Sequence, residues 1–281
     1  MHILLTGSTG FIGLSLCSAL LNKGHTLTVW THHPDRAQAL LPKNIKKVTS
    51  LHHVNKPVEA IINLAGAPIA KKRWTTERKN ILYKSRLKTT EKLVKWCQKQ
   101  TSKPKVFLSG SAVGYYGMDP QHTFTEDSPP FSICFASTLC REWEHMALQA
   151  ENQGIRVVLL RTGLVLGKNG GALPKITLPF KIFMGGPIGE GDQWMSWIHQ
   201  EDVMRMIIWA LDHENVSGPL NLTAPNPCPN TTFSYTLAKA LHRPTWLRTP
   251  AWILKMLYGE QAAKSFYIKA ININKNLNPK N

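Results

Sequence analysis

Three glycines near the N-terminus constrain the fold of this chain more than any other feature. They lie in the run Thr6-Gly7-Ser8-Thr9-Gly10-Phe11-Ile12-Gly13, directly after the apolar run 2–6 and directly before an amphipathic stretch. Gly7 permits a tight turn, Gly10 lets the main chain approach a pyrophosphate, and Gly13 allows close contact between helix and strand. The loop predicts a dinucleotide-binding Rossmann fold. The predicted cofactor contacts are Gly7, Thr9, Gly10, Phe11, Ile12 and Gly13.

The rest of the first half alternates short apolar runs with amphipathic stretches, which predicts βα units in a doubly wound parallel sheet of the α/β class. Strands are predicted at 3–6, 27–31, 60–64, 106–109 and 157–161, and helices at 11–23, 79–100, 135–153, 202–212 and 233–241. After residue 161, loops rich in Gly and Pro interrupt this pattern. We predict a Rossmann domain over 1–165, a smaller C-terminal α+β substrate lobe over 166–270 that is interleaved with the sheet, and a weakly ordered Asn-rich tail over 271–281.

The end of the second predicted strand bears on the choice of cofactor. An acid there binds the ribose 2′-OH of NAD, whereas cations accept the 2′-phosphate of NADP. Thr31 stands where that acid would be, His32 and His33 follow, and Arg36 comes one helical turn later. This favours NADP(H), with NAD(H) as the alternative. Another interpretation is that the two histidines are exposed loop residues and that Asp35 caps the next helix.

Composition and charge narrow the classes of partner. The chain has 281 residues and a formal net charge of +17, which could attract nucleic acid, an anionic membrane or a phosphorylated substrate. The basic residues are dispersed, so we do not expect nucleic acid as a partner. No apolar run approaches the roughly 20 residues that span a bilayer, and we expect no membrane partner. The five cysteines lack metal-ligand spacing, so we predict reduced thiols and no metal site. A strand that starts beside the initiator Met leaves no room for a signal peptide and favours a cytoplasmic protein.

Several further motifs give the chain a resemblance to a known family. These motifs are Asn63-Leu64-Ala65-Gly66, the run Ser109–Gly117, Arg161-Thr162-Gly163, the run Gly185–Gly189 and Ser196-Trp197-Ile198-His199. In this order they resemble the extended short-chain dehydrogenase/reductases, in particular the epimerase-like branch often labelled nucleoside-diphosphate-sugar epimerase. The resemblance spans most of the chain.

The resemblance implies further cofactor contacts. Thr31 and His32 would flank the adenosine phosphate, and Leu64, Ala65 and Gly66 would line a strand end beneath the adenosine half. Arg86 is a further contact that it implies. Ser109 and Arg161, which lie in the matching motifs, and Arg36, from the end of the second strand, complete the predicted cofactor contacts. From the residues alone, Leu64 to Gly66 could equally serve sheet packing, and Arg86 could be a solvated charge.

The same resemblance implies a catalytic Ser or Thr and a Tyr-x-x-x-Lys pair, in which the lysine makes the phenol an effective acid/base near neutral pH. Ser111 occupies the position of the hydroxyl residue. Phe135 and Leu139 occupy the spacing expected for the pair. Phe has no proton to give and Leu has no charge, so the usual acid/base pair is absent.

Replacements for that pair are available nearby. Tyr115 or Tyr116 could donate a proton and Arg141 or Lys168 could supply a cation, although packing of the tyrosines is the other interpretation. In the substrate lobe, Trp197 could line the substrate or lock the lobe onto the sheet, and the lock is favoured. For His199 two roles are possible, a contact with the substrate or a structural hydrogen bond.

Two functions remain in competition. The first is an NADP(H)-dependent oxidoreductase or epimerase-like enzyme that acts on a small molecule, with nucleotide sugars among the candidates. The second is a non-catalytic NADP(H)-binding sensor or scaffold, suggested by the missing Tyr-x-x-x-Lys pair. The sequence allows a homodimer and does not identify the substrate.

Overall fold

A seven-stranded, all-parallel sheet forms the centre of the molecule. The computed structural model describes residues 1–69, 72–245, 247–248 and 268–271. The strands are β1 (His2–Thr6), β2 (Thr26–Trp30), β3 (Lys46–Val48), β4 (Ala60–Asn63), β5 (Val106–Ala112), β6 (Asp119–Phe124), β7 (Arg156–Thr162), β8 (Leu164–Gly167), β9 (Gly170–Gly171), β10 (Trp194–Met195), β11 (Trp197–His199), β12 (Gly218–Leu222), β13 (Cys228–Pro229) and β14 (Ile268–Ala270). The order of strands in the main sheet is β12-β7-β5-β4-β1-β2-β3.

Helices cover both faces of this sheet, which confirms the predicted doubly wound α/β fold. The helices are α1 (Phe11–Asn22), α2 (Pro34–Leu40), α3 (Thr76–Lys99), α4 (Phe135–Leu148), α5 (Leu173–Lys181), α6 (Gln200–Asp212) and α7 (Asn230–Leu241). A short 3-10 helix, Val113–Tyr116, follows the end of β5.

Successive residues of β1 point into two separate cores, as the alternation of side chains along a strand requires. Ile3 and Leu5 pack with the buried faces of α1 and α6. Leu4 packs on the other face with α3, α4 and Phe107 of β5. Because the strand is buried on both faces, its sequence is continuously apolar rather than alternating.

The five strands that the sequence predicts are the five inner strands of the sheet, and the two edge strands β3 and β12 were missed. The reason is physical, because only the inner strands need apolar residues on both faces. β3 begins with Lys46 and Lys47, and β12 begins with Gly218 and Pro219, so neither has that pattern.

α4 and α5 depart most from the helices that the sequence predicts. α4 ends at Leu148, before the predicted end at residue 153, and a separate 3-10 turn follows at 151–153. α5 was not predicted, because Pro174 and Pro179 lie within it and proline is disfavoured in a helix interior. Pro174 lies in the first turn, where its missing N–H costs least.

Part of the predicted substrate lobe returns to the main sheet. α6 packs on α1, and β12 pairs with β7 at the sheet edge. The domain boundary at residue 165 stays a prediction. Within the described part of the chain no helix is long and apolar enough to cross a membrane. The predicted tail lies outside the described residues, apart from Ile271.

Candidate functional site

The glycine loop is too crowded for larger residues at two of its positions. Gly7 has φ +71°, and a Cβ there would lie 2.4 Å from the carbonyl oxygen of Leu64. A Cβ on Gly13 would lie 2.3 Å from the carbonyl oxygen of Gly7. The loop therefore bends tightly between the ends of β1 and β4 and presses α1 against the turn.

The start of α1 presents backbone donors that the protein leaves uncapped. Gly10 is the N-cap, no side chain caps the helix, and its first turn contains no acid. The Ser8 hydroxyl is buried and has no hydrogen-bond partner among the described residues. Free N–H groups and an unpaired buried hydroxyl at a helix N-terminus fit the pyrophosphate of a dinucleotide.

Phe11 links this loop to the second half of the chain. A Cβ on Gly167, Gly170 or Gly171 would approach the Phe11 ring to 2.6 Å, so the ring is enclosed by three glycines. The Phe11 carbonyl accepts a hydrogen bond of 3.0 Å from the side-chain amide of Gln200. Its side chain is thus committed to packing, and only its backbone N–H is available to a cofactor.

At the end of β2 the candidate cofactor residues point in different directions. The Thr31 hydroxyl accepts a 3.1 Å hydrogen bond from the backbone N–H of His33. The His32 ring lies edge-on against Trp30, with 5.5 Å between centroids. Arg36 reaches the glycine loop and donates to the carbonyl oxygen of Thr9 over 3.4 Å. Arg36 therefore brings a cation to the phosphate loop.

Arg86 is a buried cation beside the end of β4. It donates to the carbonyl oxygens of Leu82 (3.1 Å) and Ala67 (3.2 Å) and lies 5.3 Å from the Trp143 ring. A Cβ on Gly66 would lie 2.9 Å from its guanidinium carbon. Burial lowers the pKa of Arg86, and no ion pair to a carboxylate offsets this within the described residues. An uncompensated buried cation at a sheet edge suits an anionic ligand.

Ser111 lies in a buried polar network. Its hydroxyl donates to Oε1 of Glu144 over 2.5 Å. The Nε and Nη2 atoms of Arg161 donate to the two oxygens of the same carboxylate, both over 2.9 Å. Burial alone would lower the pKa of Arg161, but the hydrogen bonds and charge of Glu144 raise it above its ordinary value. Glu144 and Arg161 therefore form a buried, bidentate ion pair.

The two candidate tyrosines differ in their surroundings. Tyr116 is fully buried, donates to Oδ1 of Asn221 over 2.7 Å and accepts from Arg161 over 3.1 Å. Burial raises its pKa to about 12, against the lowering effect of Arg161. Tyr115 is half-buried, the Arg161 guanidinium lies 3.6 Å from its ring centroid, and its hydroxyl bonds to none of the described residues. The Ser109 hydroxyl, also fully buried, donates to the carbonyl oxygen of Gly110 over 3.4 Å and to no other atom of the described residues.

The residues at the Tyr-x-x-x-Lys spacing pack as apolar side chains. Phe135 lies edge-on against Trp74, with 5.4 Å between centroids, and the Lys79 ammonium is 5.4 Å from its ring. Leu139 is buried in a small cluster that includes Leu82. Neither position can donate a proton or place a charge beside a nicotinamide ribose.

The two lobe residues occupy structural positions. Trp197 is half-buried in β11, and its carbonyl accepts a 2.7 Å hydrogen bond from the N–H of Ala224. His199 is exposed and caps α6 by accepting from the N–H of Glu201 over 3.4 Å. Among the described residues no cluster of His, Cys, Asp or Glu could hold a metal ion.

Sequence reasoning missed three side chains that organise this site. Neither Glu144 nor Gln200 was assigned a role from the sequence. Ser8 lay inside the recognised loop without a role of its own. Only Ser8 had a usable signal, because a hydroxyl inside a phosphate-binding loop is close to the ligand wherever its rotamer points.

Comparison with known proteins agrees with this geometry. Residues 3–222 match the model of the NAD dependent epimerase/dehydratase family. "Epimerase family protein YfhF" of Bacillus subtilis is 40% identical over 268 residues, 93% of this chain and 87% of the relative. "Epimerase family protein SDR39U1 homolog, chloroplastic" of Arabidopsis thaliana is 39% identical, over 93% of this chain and 77% of the relative.

Solved structures extend the likeness to the whole fold. The crystal structure of human epimerase family protein SDR39U1 (isoform 2) with NADPH has a TM-score of 0.86 and 32% identity. The match covers 96% of this chain and 91% of that one. UDP-glucuronic acid 4-epimerase from Bacillus cereus, at 20% identity and a TM-score of 0.76, shares the fold. With its Rossmann sheet, glycine loop and family match, the chain belongs to the NAD dependent epimerase/dehydratase family, as an epimerase-like extended short-chain dehydrogenase/reductase with a site for a nicotinamide dinucleotide.

Proposed function

We propose that the cofactor is NADP(H) rather than NAD(H). The observation that carries this choice is the end of β2, where Thr31 replaces the acid that would bind a free 2′-OH and Arg36 reaches Thr9 of the glycine loop. The human relative, 32% identical, was crystallised with NADPH. Arg36 would pair with the 2′-phosphate, and the uncapped start of α1 with the pyrophosphate.

Arg86 supports an anionic cofactor for a separate reason. Its guanidinium is buried and bonded to two backbone carbonyls, with no ion pair to a carboxylate among the described residues. Leaving a cation in that state is costly unless a ligand compensates for it. We assign Arg86, together with Leu64 to Gly66, to the wall of the dinucleotide site at the carboxyl edge of the sheet.

We further propose that the protein is an oxidoreductase or epimerase-like enzyme in which Tyr115 is the proton donor. The bound nicotinamide supplies or accepts a hydride. Two of the three candidate hydroxyls already donate a hydrogen bond within the protein. The Ser111 hydroxyl donates to Glu144, and the Tyr116 hydroxyl donates to Asn221. Tyr115 alone of these three has a hydroxyl without a bond to the described residues, and the Arg161 guanidinium fixes its ring.

The substrate in this proposal is a small molecule with a carbonyl or an oxidisable carbinol. Nucleotide sugars are candidates, because relatives of the same fold were crystallised with UDP-glucuronic acid and UDP-glucose. Those relatives are only 20% and 18% identical, so the fold is what they support.

A second function, a non-catalytic NADP(H)-binding sensor or scaffold, is favoured by one specific observation. Phe135 and Leu139 fill the places of the acid/base pair, and both pack against apolar neighbours. A protein that keeps the cofactor loop but loses this pair can bind the cofactor without turning it over.

One experiment separates the two functions. Purified protein is incubated with NADPH and carbonyl compounds, and with NADP⁺ and alcohols, including nucleotide sugars, while NADPH absorbance is followed. The enzyme proposal expects turnover that Tyr115→Phe abolishes and that the exposed control Tyr83→Phe retains. Tight NADPH binding with no turnover of any compound overturns it and supports the sensor.

A further inference from the structure

The end of α5 exposes a cluster of large apolar side chains, which we call the α5 tip. Leu178, Ile182, Phe183 and Met184 are 60%, 58%, 54% and 60% exposed. Single exposed apolar residues are common on protein surfaces, but four within seven positions form a patch. Such patches mark surfaces that meet a partner or a membrane.

The backbone at Phe183 gives an independent reason to assign a role to this tip. Phe183 follows the helix end and has φ +62°, a left-handed conformation that favours glycine. The N–H groups of Phe183 and Met184 close the helix by donating to Phe180 (3.1 Å) and Pro179 (2.9 Å). Because the ring stays more than half exposed, burial within the chain does not offset the strain.

The stretch of chain that contains the tip, and the stretch that contacts it through Arg243, carry cations and no acids. Residues 164–189 and 230–248 contain neither Asp nor Glu, whereas they contain Lys168, Lys175, Lys181, Lys239, Arg243 and Arg248. The two stretches meet at this surface, because the Arg243 guanidinium lies 4.8 Å from the Phe183 ring centroid. The whole chain carries +17. An apolar patch bordered by cations is complementary to an anionic lipid surface.

We propose that the α5 tip docks this protein onto membranes that contain anionic lipids. Phe183, Ile182 and Met184 would enter the boundary between headgroups and acyl chains, and Lys181 would pair with lipid phosphates. This docking is peripheral and is independent of the proposed cofactor chemistry. It differs from the expectation of no membrane partner, because docking at a surface needs no spanning segment but only the apolar tip and nearby cations, including Arg243, which the fold brings beside Phe183.

Sedimentation with vesicles tests this proposal on the full chain. We expect binding to vesicles of phosphatidylcholine with phosphatidylglycerol, little binding to phosphatidylcholine alone, and loss of binding at high salt. Phe183→Gly relieves the backbone strain, so it keeps the fold, and should reduce the partition constant at least about tenfold. Lys181→Gln should reduce it about fivefold. The control Ile133→Gln, at a residue 86% exposed elsewhere, should have no effect.

Three outcomes would overturn the proposal. The first is a wild-type protein that does not bind vesicles, and the second is equal binding to neutral and anionic vesicles. The third is a Phe183→Gly variant that binds anionic vesicles as strongly as the wild type. Concentration-dependent self-association that Phe183→Gly abolishes in the absence of vesicles would instead assign the tip to a second copy of this chain. Light scattering of wild type and variant provides that measurement.

Discussion

The hydroxyl of Ser111 donates to Oε1 of Glu144 over 2.5 Å, within a buried network formed by β5, α4 and β7. Glu144 also accepts two hydrogen bonds from Arg161, so the carboxylate that accepts the Ser111 hydrogen bond is itself held in place. In this arrangement Ser111 can accept a hydrogen bond from a ligand but has no second hydrogen to give. To donate to a substrate, the Ser111 hydroxyl would therefore have to turn away from Glu144.

The Glu144–Arg161 pair predicts a large loss of stability when one partner is removed. Both side chains are almost completely buried, at 5% and 3% exposure. Glu144→Ala leaves an unpaired buried guanidinium and should lower the free energy of unfolding by roughly 3–5 kcal/mol. Urea denaturation measures this change. Glu91→Ala, which breaks the exposed pair with Lys95, is the control and should leave the midpoint unchanged. Equal midpoints for all three proteins would contradict the prediction.

Replacement of Gly13 by a larger residue should weaken cofactor binding. Its substitution by alanine places a Cβ 2.3 Å from the Gly7 carbonyl oxygen, so the loop must shift away from α1. We expect the affinity for NADPH to fall at least about tenfold, measured by calorimetric titration. Gly154→Ala is the matched control, because Gly154 has φ +72° but open space around it. It should cost stability and leave the affinity intact, and a similar loss of affinity in both variants would refute this interpretation of the loop.

Replacement of Arg36 should change the preference between NADPH and NADH. Arg36→Ala removes the cation beside Thr9 and should lower the affinity for NADPH about tenfold while leaving that for NADH unchanged. Titration of both cofactors into the variant and into Arg205→Ala, an exposed cation on α6, makes the comparison. A parallel loss for NADPH and NADH would assign Arg36 to the loop alone and remove the support for NADP(H).

Buried thiols and Tyr116 predict instability at alkaline pH. Burial raises the pKa of Cys17, Cys97 and Cys140 from 9.0 to about 12, and that of Tyr116 from 10.0 to about 12. A folded-state pKa above the unfolded one stabilises the fold below the unfolded pKa, and this stabilisation is lost as pH rises through the folded value. Unfolding free energy should therefore fall from pH 9 to pH 12, with about 3 kcal/mol from Tyr116 alone.

Tyr116→Phe provides the check on that assignment. The variant loses stability at neutral pH because Asn221 and Arg161 lose a buried partner. Its stability should then decline less steeply than that of the wild type between pH 10 and pH 12. An unchanged slope would show that Tyr116 titrates in the folded protein as it does in the unfolded chain.

Local signals allowed much of the fold to be predicted from the sequence. The glycine loop, the inner strands and the absence of a Tyr-x-x-x-Lys pair each depend on residues within a short stretch. The inner strands are continuously apolar because both faces are buried, whereas β3 and β12 at the edges carry no such pattern. Phe135 and Leu139 could be recognised as replacements from spacing alone.

Contacts between distant residues could not be predicted in the same way. Glu144 and Arg161 lie on α4 and β7, and nothing in either stretch identifies the other as its partner. The roles of Ser111 and Tyr116 follow from this pair and from Asn221, 105 residues beyond Tyr116. The apolar residues of the α5 tip could not be identified as a surface patch from the sequence, because exposure is a property of the fold and not of the residue type.

The enclosure of Phe11 has a consequence for the order in which the protein matures on the ribosome. Phe11 belongs to the earliest segment to be synthesised, but its three enclosing glycines and the Gln200 amide come about 160 to 190 residues later. A nascent chain that ends before β8 has the glycine loop without the residues that hold α1 in place. We therefore expect the dinucleotide to be captured only after most of the chain has been released, as one of the last events of biosynthesis.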